Sequence, residues 1–91
     1  MKTAPALTKK KKFFIAKCLR DLLELRAFYG RESGCLDLSD LEDKYGRDTV
    51  ETCLINGWIK RQNKICPNAP GAAYPCWITQ NGIQMAQRFQ A

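Results

Sequence analysis

Leu36-Asp37-Leu38-Ser39-Asp40-Leu41-Glu42-Asp43-Lys44-Tyr45-Gly46-Arg47-Asp48-Thr49-Val50-Glu51-Thr52-Cys53-Leu54-Ile55-Asn56-Gly57-Trp58-Ile59-Lys60 holds two helix-start signals, at Ser39 and Asp48, and a glycine that runs straight into a strand. Ser39 is followed three residues on by Glu42, and Asp48 by Glu51. Each pair has the spacing of a capping box, in which two side chains satisfy amide donors that a helix start leaves unpaired. Gly57 supplies a left-handed stop for the second helix, and Trp58-Ile59 opens a strand. Two short helices and a hairpin follow from these signals.

Working outward, residues 1–8 with Pro5 read as a flexible basic tail, and residues 9–91 as one domain. Thr8 is a good N-cap for a long first helix that reaches Tyr29 and stops at Gly30. Within it Phe14, Cys18, Leu22, Leu25 and Tyr29 share one face, and Ile15, Leu19 and Leu23 widen it, so a broad side is expected to pack on the core. Leu36 to Leu38 fits a very short strand. After Gly57, Trp58–Cys66 and Cys76–Thr79 have strand character, separated by a proline-rich loop from Pro67 to Pro75. Thr79 then caps a last helix from about Gln80 to Gln90, with Ile83, Met85, Ala86 and Phe89 as its apolar members.

This order of elements resembles the winged helix-turn-helix family of DNA-binding domains. A glycine ending the second motif helix, the Trp58-Ile59 pair, and the closing string Trp77-Ile78-Thr79-Gln80-Asn81-Gly82 carry the resemblance, which covers Phe13 to Phe89. It implies an α+β fold: a three-helix core with a helix-turn-helix, a β-hairpin wing and a C-terminal helix. The chain departs from the family between Leu41 and Gly57, where it is about one turn short, so the recognition helix is truncated. If that helix entered the major groove, Val50 and Leu54 would point inward, and Arg47, Thr49, Thr52 and Asn56 would be the contacts. Asp48 and Glu51 on the same helix repel phosphate.

The net charge of +6 is unevenly placed. Residues 1–36 carry nine cations against three acids, residues 37–51 carry six acids against two cations, and the remainder holds Lys60, Arg61, Lys64 and Arg88 with no acid. An excess of this kind ordinarily binds a polyanion. Lys60, Arg61 and Lys64 on the wing make the strongest electrostatic case, and Lys9, Lys10, Lys11 and Lys12 can track phosphates from the first helix. Solvated lysines that protect a strand edge or keep the chain soluble are the plainer explanation of both groups.

Five cysteines with no Cys-x-x-Cys pair and no histidine fit reduced thiols in a cytosol. Cys35 and Cys53 read as core fillers, and Cys66 and Cys76 flank the wing loop, free by default or able to form a bridge that pins the wing. A metal site is not expected, since the region offers two thiols and no imidazole. No nucleophile with an adjacent base, glycine-rich phosphate loop or paired carboxylates is present, so neither an enzyme nor a cofactor is expected. Nor is there a stretch for a membrane span or a secretory signal.

The reading is therefore a cytoplasmic winged-helix protein, a transcriptional regulator of prokaryotic or mobile-element type. Its expected partner is double-stranded DNA, held through the wing and a short recognition helix, with a homodimer left open. The rival is a protein-interaction module that uses the acidic residues 37–51 as its contact surface. A weaker third reading is a single-strand binder that stacks bases on the wing-loop aromatics; of Tyr74, Trp58 and Trp77, the two tryptophans are expected to pack under the wing and only Tyr74 to project.

Overall fold

A computed structural model describes residues 8–90. The expected tail falls outside these residues except for Thr8. The chain runs α1 (Lys9–Tyr29), β1 (Cys35–Asp37), α2 (Leu38–Tyr45), α3 (Arg47–Ile55), β2 (Ile59–Arg61), β3 (Pro75–Ile78) and α4 (Gln80–Gln90). The fold is α+β: four helices and one antiparallel sheet in the order β1-β3-β2.

Helix α1 starts where its cap predicts. The Thr8 hydroxyl accepts from the Lys11 amide at 3.1 Å, and Gly30 ends the helix at a φ of 99°. The buried stripe of α1 is Ile15, Cys18, Leu19 and Leu22, whereas Tyr29 is 50% exposed. The inward face is thus rotated from the expected one, toward the residues that were expected only to widen it. Leu41 and Tyr45 of α2, Val50 and Cys53 of α3, Trp58, Ile59, Cys76, Ile78 and Ala86 complete the main core.

Both capping boxes are corrected by the structure. Helix α2 is capped by Asp37, whose carboxylate accepts from the Ser39 amide at 3.3 Å and from the Ser39 hydroxyl. The same carboxylate accepts from the Tyr74 amide at 2.8 Å, so one side chain ties α2 to β3. Its two oxygens collect donors that only a charge satisfies fully, which holds the Asp37 carboxyl below its ordinary value. Helix α3 has no side-chain cap. Gly46 leads into it at a φ of 92°, a left-handed turn that shortens the linker to one residue and leaves Asp48 in the first turn instead of at the cap. Gly57 takes its expected left-handed conformation, at a φ of 71°.

At the far end, the Thr79 oxygen accepts from the Gly82 amide at 3.0 Å and its hydroxyl donates to the Gly57 carbonyl, starting α4 as expected. Strand β2 is much shorter than the expected Trp58–Cys66, whereas β3 keeps the expected length and starts one residue earlier. Strand β3 begins on Pro75, the strand end, where its carbonyl still accepts from the Gln62 amide at 3.1 Å although the ring nitrogen can return no bond.

Candidate nucleic-acid interface

The sheet has two faces, and its register sorts the side chains between them. Ile59 pairs with Ile78, and Cys76 pairs with Leu36 and Arg61, on the face turned to the helices. Lys60 and Cys35 both pair with Trp77 on the other face. That outer face is not left open. Residues 62–74 fold back across it, so that Cys66 packs against Cys35 and Trp77 with Ala69 beside them, a second small core.

A disulfide joins Cys35 to Cys66, with Cα atoms 6.5 Å apart. This corrects the expectation of free thiols, and with it the expected pairing, because Cys76 lies on the opposite face of the sheet. Cys76 is free and buried in the main core, where burial, with the Asp37 charge as a lesser cause, pushes its thiol up to about 11. Cys18 is also free and buried. A hydrogen bond with Cys53 and then burial push its thiol upward, so both are held as neutral thiols.

The stapled loop, the outer sheet face and the end of α1 enclose a concavity of about 440 Å³. Arg26, Arg31, Lys60 and Lys64 line it, with Glu32 the one carboxylate and Gln62 and Gln80 as neutral donors. Trp77 forms its floor: the indole N–H donates to the Glu32 carbonyl at 2.9 Å, and the Lys64 ammonium lies 5.0 Å above the ring. Gly34 makes the arrangement sterically feasible. It is buried against the backbone of Arg26, and a β-carbon there would collide with that backbone, so only glycine lets the turn bring Arg31 and Arg26 over the sheet.

The three expected wing cations are therefore divided. Lys60 and Lys64 share the concavity, whereas Arg61 points to the other side, its guanidinium 5.1 Å from the ring of the exposed Tyr74. Lys9, Lys10, Lys11 and Lys12 occupy the first turn of α1, at least fourteen residues or about 20 Å along the helix from Arg26, and form a separate patch. Arg26 and Arg31 were missed because α1 and the following turn read as core and connection. Gly34, eight residues beyond Arg26, was the available signal of a close approach there.

The expected recognition helix is corrected in its outward set. Thr49 and Thr52 are 5% and 6% exposed, and the Thr52 hydroxyl donates to the Asp48 carbonyl at 2.8 Å, so neither side chain is presented to a groove. Asn56 is exposed, but its amide donates to the Thr52 carbonyl at 2.8 Å. Arg47 is exposed with its guanidinium 3.5 Å from Glu42. What α3 otherwise presents is Asp48, Glu51 and Ile55, the last 59% exposed. Trp58 and Trp77 are both buried, Trp58 in the main core and Trp77 under the loop. Among the described residues no cluster of metal-ligating side chains occurs, and no helix is long and apolar enough to cross a membrane. No protein-family model, curated protein or solved structure matches this chain.

Proposed function

We propose that this chain is a winged-helix domain that holds duplex DNA through the basic concavity on the outer face of its sheet. Support for the winged-helix assignment comes from the element order and the strand order β1-β3-β2, in which the first strand lies beside the last and the hairpin follows the second motif helix. Support for DNA comes from one observation above all: Arg26, Arg31, Lys60 and Lys64 converge from four segments, α1, the turn after it, β2 and the stapled loop, onto one concave surface with a single acid among them. Phosphates seated there release counterions, which gives a binding energy independent of sequence. Helix α3 is not the anchor in this reading, because its exposed acids repel the backbone.

Anisotropy of a labelled random duplex tests the proposal. Replacing Arg26, Arg31, Lys60 and Lys64 together by alanine is expected to abolish binding at moderate salt, while Arg47→Ala changes it little. If the intact chain does not bind at low salt, the proposal fails. A second reading then takes its place, favoured by the exposed Asp40 and Asp43 of α2 and the exposed Asp48, Glu51 and Ile55 of α3: a helix-turn-helix face that docks a basic protein partner.

A further inference from the structure

The outer side of α1 carries a pattern that neither the core nor the basic concavity uses. Phe13, Lys17, Arg20, Glu24 and Phe28 are all exposed, and at about 100° per residue they fall within roughly 80° of one another around the helix. Ile15, Cys18, Leu19 and Leu22 occupy the opposite side and face the core, so the stripe points outward, and only at its C-terminal end do Glu24 and Phe28 border a groove with Leu36 of β1 and Lys44 of α2. Phe28 is 81% exposed and Phe13 62%, a large apolar display for a surface that nothing covers.

Order along the stripe is the informative part. Reading from the N-terminus it runs aromatic, cation, cation, then Asp21 at its edge, anion and aromatic. Phe13 and Phe28 lie equally far from the point between Arg20 and Asp21, and so do Lys17 and Glu24. A segment with that symmetry is complementary to itself run backwards. Laid antiparallel on a second copy, Phe13 meets the partner's Phe28, Lys17 meets the partner's Glu24, and each contact occurs twice, as a two-fold interface requires. A parallel arrangement would instead oppose like charges.

We propose that a second copy of this chain docks antiparallel on α1, about a two-fold axis between Arg20 and Asp21. Among the described residues Lys17, Arg20 and Glu24 form no ion pair within the chain, so they are available to a partner. Asp21 already accepts from the Tyr45 hydroxyl and lies 3.7 Å from the Lys44 ammonium. The discriminating positions are therefore Lys17 and Glu24.

Sedimentation velocity of the full chain at low salt tests this. A dimer is expected. Lys17→Glu and Glu24→Lys each place like charges together twice and should weaken it about tenfold or more, whereas the chain carrying both changes should regain wild-type affinity. Mixing the two single variants should give a heterodimer tighter than either variant alone. Far-UV spectra of all variants should match wild type, because both side chains are exposed. A chain that stays monomeric at its highest soluble concentration would overturn the proposal, as would a dimer indifferent to Lys17→Glu or not restored by the double reversal.

Discussion

Asp37 holds two parts of the fold with one carboxylate. It caps α2 and accepts from the amide of Tyr74, so its removal frays a helix and loosens the hairpin at once. Asp37→Ala is expected to cost about 1–2 kcal/mol, and Asp37→Asn less, since asparagine also caps. The pH dependence has a definite sign. The native carboxyl sits below its ordinary value of 3.8, so its contribution is complete above that value and is lost as pH falls through the depressed one. Acid melts of wild type and Asp37→Asn check this: the wild-type loss in that window should be absent from the variant. Gly34→Ala makes a second test at this scale. Its β-carbon would strike the Arg26 backbone, so a loss of about 1–3 kcal/mol in denaturant unfolding is expected.

At the scale of elements, the two caps at the ends of the chain, Thr8 and Thr79, were legible because each precedes an unambiguous apolar period. The caps in the middle were not. Three candidate oxygens, Asp37, Ser39 and Asp40, crowd one helix start, and the choice among them rests on the Tyr74 amide, thirty-seven residues from Asp37 and outside any local pattern. Two of the four expected outward residues on α3, Thr49 and Thr52, turn inward for a related reason. Nine residues make only two and a half turns, and a helix so short, packed against both α2 and α1, buries Thr49 and Thr52 along with Val50 and Cys53. The disulfide was hidden by sequence distance: Cys66 and Cys76 flank the loop, yet alternation along β3 sends Cys76 to the other face and the folded-back loop brings Cys66 to Cys35. Thiol titration in denaturant without reductant should therefore find three reactive cysteines. Five would contradict the staple. Cys35→Ser should lower stability by about 3–4 kcal/mol, the loop-closure cost for a separation of 31 residues.

Across the whole molecule, charge is segregated: the sheet face is basic, the surface of α2 and α3 acidic, and the outer side of α1 mixed. The sequence made the first two visible as runs, but it could not bring Arg26 and Arg31 beside Lys60 and Lys64, because that meeting depends on how the turn after α1 packs. The proposal that this meeting point holds duplex DNA is tested most directly by the salt dependence of random-duplex affinity. The wild-type chain should bind with log affinity falling linearly against log salt, and alanine at Arg26, Arg31, Lys60 and Lys64 should reduce that slope by about 0.9 for each phosphate no longer neutralised. Absence of binding at low salt, or an unchanged slope in the variant, would contradict it.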